Sequence, residues 1–148
     1  MQFPRHYALT LKHKHLPEMQ KYAGLAHPPV FSPVVGDFYA GMAVAVPLVS
    51  RLLPKKSSPR ELWECLASHY EGERFVRVMP FESDSYLDGG FFKMGECNDT
   101  NMLDIFVFGN QEQILLLSRL DNLGKGASGA AMQNMNIMLG LDEGLGLA

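Results

Sequence analysis

The residues best suited to chemistry stand close together near the start of the chain, in His13-Lys14-His15-Leu16-Pro17-Glu18. On a strand, residues two apart share a face, so both imidazoles would point the same way, while Glu18 lies in the helical turn that follows. A histidine at a strand-to-helix junction serves as general acid or base near neutral pH, and a nearby carboxylate orients its ring or raises its pKa. The three groups also resemble the ligands of a divalent ion, but no second cluster supplies the ligand count that a zinc site requires, and no metal is expected. A purely structural role for both imidazoles fits the spacing as well.

A second signal is Gly124-Lys125-Gly126-Ala127-Ser128-Gly129, which matches G-x-G-x-x-G between a predicted strand and a predicted helix. Glycines there let the backbone approach an anion, and a helix N-terminus offers free N–H groups. A dinucleotide fingerprint also needs a strand ending in an acidic residue about 20 positions on, which is not found before Ala148. A glycine-rich turn that lets the last helix pack closely is the alternative. Cys97 acts as a nucleophile only in an electropositive setting. Cys65, on the predicted apolar face of a helix, reads as a small inert hydrophobe.

The elements that must position these groups follow from periodicity. Residues 7–15 alternate and predict a strand, and residues 16–25 a short helix with Pro17 in its first turn. Valine-rich runs at 30–35 and 42–52 predict two strands, the second apolar on both faces and hence central. Ser58-Pro59-Arg60-Glu61 has the form of a capping box, with Leu62, Cys65, Leu66 and His69 on one face of the helix it starts. Residues 75–81 predict a strand, and residues 82–101 a long loop. Residues 102–108 and 114–120 predict a hairpin, and residues 127–139 a closing helix. The order predicts an α+β domain with a mixed, largely antiparallel sheet and helices packed on one face.

A chain of 148 residues is long enough for one domain, since that size hides roughly 68–70% of its unfolded surface. A formal charge of -3 gives no attraction for nucleic acid or anionic membranes, and the one basic cluster, Arg51 to Lys56, is short. No apolar run approaches the roughly 20 residues of a membrane span, and no leader is visible. The reading is cytoplasmic, with Cys65 and Cys97 as reduced thiols.

Taken together, His13 to Glu18, Phe31-Ser32-Pro33, the stretch from Thr100-Asn101 to Asp104-Ile105, and Leu120 through Gln133 with Asn134 to Gly140 resemble the N-acetyl-gamma-glutamyl-phosphate reductases of arginine biosynthesis. These are relatives of aspartate-semialdehyde dehydrogenase. The resemblance runs nearly end to end and implies residues 1–148 as a single C-terminal catalytic and dimerisation domain of the semialdehyde and glyceraldehyde-phosphate dehydrogenase type, without the N-terminal Rossmann domain. It implies an enzyme that uses NADPH to convert N-acetyl-gamma-glutamyl phosphate to N-acetylglutamate semialdehyde. In that family a cysteine attacks the acyl phosphate, the thioester accepts hydride, and a histidine of the H-x-H-x-P-E motif handles protons. That histidine maps to His13 or His15; His15 is favoured, with His13 and Glu18 in support. Asn122, Lys125 and Gly126 map to the cofactor side, through hydrogen bonding from Asn122 and charge from Lys125. Neither cysteine lies in the family's nucleophile setting, so this chain alone is expected to be inactive, completed by a missing nucleotide-binding domain, and to form a homodimer. A non-catalytic assembly or regulatory module derived from the enzyme, or a metal-binding domain, are the alternatives.

Overall fold

A computed structural model describes residues 3–82 and 84–148, and of Asp84 the backbone only. The chain divides into two compact units, Met1–Tyr39 and Ala40–Ala148.

In the first unit, β1 (Arg5–His6) and β2 (Val34–Val35) pair antiparallel. The Tyr7 N–H donates to the Pro33 carbonyl at 3.2 Å. The strand expected over residues 7–15 does not form. Ala8 and Leu11 lie at φ 54° and 55°, a left-handed conformation that costs a non-glycine residue roughly 1–2 kcal/mol, and the Leu11 N–H closes a turn on the Ala8 carbonyl at 2.9 Å. A long strand also needs a long partner, and the facing run contains Pro28, Pro29 and Pro33, which have no N–H to give. The valine-rich strand expected over residues 30–35 is accordingly cut to its last two residues. Helix α1 (Leu16–Tyr22) forms with Pro17 in its first turn, and Gly24, at φ 63°, follows its end.

The second unit is built on a four-stranded sheet. Its strands are β3 (Met42–Val49), β4 (Val76–Val78), β7 (Leu103–Gly109) and β8 (Gln113–Leu120), in the order β3-β8-β7-β4. Only β4 and β7 run parallel, so the sheet is mixed and largely antiparallel, as the pattern predicts. A short turn joins β7 to β8, where Asn110 Oδ1 accepts the N–H groups of Glu112 and Gln113 at 2.9 and 3.0 Å. β3 is an edge strand, not the central one its two apolar faces suggest, and its first six residues are exposed. The signal for an edge is Pro47: a proline within a strand run is tolerated where no neighbour needs its N–H.

Helix α2 (Pro59–His69) packs against β7 and β4. Its inner face is rotated from the expected one: Leu62, Trp63, Leu66 and Ala67 are half-buried, while Cys65 and His69 are exposed. Trp63 sets this rotation by donating its indole N–H to the Met79 carbonyl at 2.8 Å, since a buried indole seeks a partner for its polar edge. Residues 82–101, expected as loop, carry a small hairpin of β5 (Leu87–Asp88) and β6 (Phe91–Phe92) around Gly89 and Gly90. A short 3-10 turn, Met94–Cys97, follows.

That segment encloses the charged centre of the unit. The Asp104 carboxylate, fully buried, accepts from Arg77 Nε at 2.7 Å and from Arg119 Nε at 3.0 Å. Arg119 also donates to the Lys93 carbonyl at 2.7 Å, and its guanidinium lies 5.0 Å from the Phe106 ring and 5.8 Å from that of Phe92. A charge withdrawn from water must find such partners.

Candidate functional site

The residues singled out from the sequence fall into two groups, one in each compact unit. In the first unit the chain turns at His13, whose carbonyl accepts the Leu16 N–H at 3.1 Å, and His15 becomes the N-cap residue of α1. The turn achieves what a strand would have done by alternation: the two imidazoles meet with ring centroids 4.7 Å apart, edge to face. His13 is half-buried and packs against Phe31 at 5.0 Å and Tyr7 at 5.8 Å. Its Nδ1 accepts the backbone N–H of His15 at 3.2 Å. In the neutral ring this fixes the proton on Nε2. His15 is exposed, and its ring makes no hydrogen bond among the described residues. Glu18, in the first turn of α1, is also exposed and makes no hydrogen bond or ion pair with either histidine. An oriented imidazole therefore stands beside an open one, with a carboxylate one turn along.

In the second unit the glycine segment is not a loose turn. Gly124–Ser128 forms a π-helical turn that runs directly into α3 (Gly129–Met138). Its free amides are already taken, by a residue the sequence reading passed over. Asp121 Oδ1 accepts the N–H groups of Leu123 and Gly124 at 2.7 and 3.1 Å, and its Oδ2 accepts that of Asp99 at 2.9 Å. The amides of Asp99, Gly124 and Leu123 hold the Asp121 carboxyl below the usual carboxylate range. The chain thus supplies its own anion where a phosphate would sit. The signal was present in Asp-x-x-Gly, since an aspartate commonly caps the amides two and three residues on.

Asn122 Oδ1 accepts the Gly41 N–H at 2.8 Å, tying this turn to the start of β3. Lys125 Nζ donates to Gln133 Oε1 at 2.7 Å and stands 5.6 Å from the Phe75 ring. Burial pushes its ammonium below the usual lysine range, with Glu143 pulling the other way. Gly126 is exposed, its N–H given to the Asp121 carbonyl at 2.8 Å. A side chain at Gly129 would run into Asn101 Oδ1 and the Gly124 carbonyl, so the last glycine of the motif serves close packing.

Cys97 is 1% exposed. Burial pushes its thiol up, and its hydrogen bond to Asp104 adds to this, with Arg119 opposing. A thiol held protonated in a closed site is no nucleophile. Cys65 is exposed rather than on an apolar face. Among the described residues, no three His, Cys, Asp or Glu side chains gather as a metal site would require.

Known proteins share the family resemblance. The chain is 52% identical over 144 residues to an N-acetyl-gamma-glutamyl-phosphate reductase of Nostoc, covering 95% of this chain and 45% of the relative. It is 51% identical over 95% of its length to the enzyme of that name from Trichormus variabilis, covering 45% of that protein. It is 45% identical over 90% of its length to one from Pseudomonas putida, covering 43%. The chain thus spans less than half the length of these curated relatives. Residues 2–122 match the model of the semialdehyde dehydrogenase dimerisation domain. With the edge strand, the mixed sheet and the paired histidines lying inside that match, the chain belongs to the semialdehyde dehydrogenase dimerisation-domain family.

Proposed function

We propose that this chain is the acid–base and subunit-assembly part of an N-acetyl-gamma-glutamyl-phosphate reductase. The observation that carries the reading is the His13–His15 pair at the open start of α1, in a chain half identical to reductases of that name. The overall reaction is a thiolate attack on the acyl phosphate with loss of phosphate, followed by hydride transfer that releases the semialdehyde and restores the thiol. Neither cysteine described here fits the nucleophile, so the attacking thiol comes from polypeptide outside these residues.

His15 gives and takes the protons of these steps, with its exposed ring free to reach substrate. His13 positions it by accepting its backbone N–H, and Glu18 lends negative charge beside the imidazolium that forms. NADPH supplies the hydride when bound. The turn from Asn122 to Gly126 fits the edge of such a cofactor and not its phosphates, because its first amides are given to Asp121. Asn122 contributes through its side-chain amide nitrogen, and Gly126 through an exposed backbone with no side chain in the way. Lys125 contributes charge if a ligand competes with Gln133 for its ammonium.

The chain assembles as a homodimer through its sheet unit. Met42, Val44 and Val46 are 38%, 42% and 45% exposed on β3, an apolar row that a second copy would cover. α3 and the tail beyond it expose Met135, Ile137, Met138 and Leu139, downstream of the residues matched to the dimerisation domain. That face seats the nucleotide-binding part. Such an enzyme works in the cytoplasm, and no helix among the described residues is long and apolar enough to cross a membrane.

The test is a chimera in which these 148 residues follow the upstream portion of the Nostoc reductase. It is expected to reduce the acyl phosphate with NADPH, while the 148-residue chain alone turns over nothing. His15→Asn in the chimera is expected to lower kcat by about 10²–10⁴-fold, the usual worth of a positioned acid or base. Full activity of that variant, or loss only in His13→Asn, overturns the assignment. Light scattering of the 148-residue chain reports the dimer.

A further inference from the structure

A cavity of about 740 Å³ opens in the second unit where β3 ends and the β7–β8 turn returns. Its polar lining is Ser50, Arg51, Lys56, Gln111, Glu112 and Gln113, and Val49 and Leu53 form an apolar wall. It is separate from the candidate cofactor turn. β3 runs from Met42, opposite Leu120 and near Asn122, to Val49, opposite Gln113, a distance of roughly 23 Å at about 3.3 Å per residue.

Two features of the lining point to a guest. Ser50 is 2% exposed, and its Oγ has no hydrogen-bond partner among the described residues, although its backbone N–H donates to the Glu112 carbonyl at 2.9 Å. A buried hydroxyl left without a partner is costly, and native proteins rarely leave one without reason. The charges are the second feature. Arg51, Lys56 and Glu112 all line this space, and none of the three forms an ion pair among the described residues. A simple polyanion would meet the Glu112 carboxylate, and a simple amine would meet two cations. A molecule carrying both signs satisfies all three at once.

We propose that this cavity binds a small zwitterion of the amino-acid class. Its carboxylate is held by the Arg51 guanidinium, which takes such a group two-pronged, with Lys56 and the Ser50 hydroxyl completing the set. Its ammonium is held by Glu112, while the Gln111 and Gln113 amides and the Leu53 wall meet the stem. Two cations against one carboxylate leave the lining one positive charge in excess, so an acidic amino acid is the best match. The cavity has the size of metabolite sites in general, about 300–1,000 Å³. The proposal does not depend on the reductase reading.

The 148-residue chain, followed by amide NMR shifts, is titrated with L-glutamate and, in parallel, with glutarate, which lacks the ammonium. L-glutamate is expected to saturate, with shifts centred on Ser50, Arg51 and residues 111–113, and glutarate to bind about tenfold more weakly, as loss of one charge-assisted contact predicts. Arg51→Ala with Lys56→Ala is expected to abolish both, and Glu112→Gln to bring L-glutamate down to the level of glutarate. Ser50→Ala is expected to weaken L-glutamate several-fold while thermal stability holds or rises, a combination that a merely structural serine would not give. Shifts that are absent, that follow ionic strength alone, or that are equal for the two ligands overturn the proposal. So does a Ser50→Ala chain that binds as the parent does.

Discussion

Helices α1 and α2 begin on the same pattern, a proline within the first two helical positions and a glutamate three residues past the N-cap, yet they use it in opposite ways. At α2 the pattern closes on itself. Ser58 N–H donates to Glu61 Oε2 at 2.8 Å, and Glu61 N–H donates to Ser58 Oγ at 3.2 Å. At α1 the N-cap residue is His15, no side chain caps the helix, and the His15 N–H goes to His13 Nδ1 instead. The imidazole of His13 thus does for His15 what the glutamate does for Ser58, and Glu18 is released from that duty. A helix start that satisfies itself gains stability and becomes inert. One that borrows an outside acceptor keeps an imidazole and a carboxylate facing outward.

The sharpest way to break this contrast is His15→Ser, which gives α1 the Ser-x-x-Glu spelling of α2 but not its cap, because residue 15 is helical (φ -79°, ψ -11°) where Ser58 is extended (φ -80°, ψ 161°). In the chimera it is expected to cost about 10²–10⁴-fold in kcat while leaving the thermal melting of the chain unchanged. A variant that stays active would mean the two helix starts differ only in sequence. The converse change, Ser58→Ala, is expected to cost about 1 kcal/mol and to leave kcat untouched. Acid provides a third probe. Glu61 is held below its usual carboxyl range by the Ser58 N–H and then by the Ser58 hydroxyl. Its contribution is therefore complete above the ordinary value of 4.5 and is lost as pH falls through the lower folded one. Relative to the intrinsic exchange rate, amide protection at the start of α2 is expected to fall over that acid window. The smallest effect is spectroscopic: the neutral His13 ring is expected to show Nε2 protonated and Nδ1 bare, and an Nδ1–H tautomer would remove the positioning role.

Much of the fold was legible because its signals are local. The capping box at Ser58 is written in four consecutive residues, and the β7–β8 hairpin in two apolar runs around a polar turn. What was misread depended on partners far along the chain. Alternation over residues 7–15 looked like a strand because nothing in that segment says that the run facing it is broken by prolines. β3 looked central because apolar residues on both faces report burial by something, not by another strand; Pro47 was the overlooked correction. The face of α2 turned by a residue because one indole N–H found a carbonyl in another element.

The candidate site divides along the same line. His13 and His15 were found from spacing, and they do meet, though through a turn and not through the pleat that first suggested it. The glycine motif was legible and so, in Asp-x-x-Gly, was its closure by Asp121 Oδ1; only the grip of Oδ2 on the distant Asp99 amide has no local signal. The anchoring of Lys125 on Gln133 had a weaker signal, eight positions apart across the change from π to α geometry.

The pairing of β3 with β8 sets an order of events when the polypeptide is made. β7 and β8 adjoin in sequence and can zip as soon as both leave the ribosome, whereas β3 emerges first and must wait until α2, β4 and β7 have been synthesised before its partner exists. During that wait Met-Ala-Val-Ala-Val-Pro-Leu-Val is a naked, β-prone ribbon open to other nascent chains. The ring of Pro47 interrupts it midway, acting as a gatekeeper against fibril-like stacking. A Pro47→Val chain would accordingly show its defect as inclusion bodies before any change in the melting of the folded form.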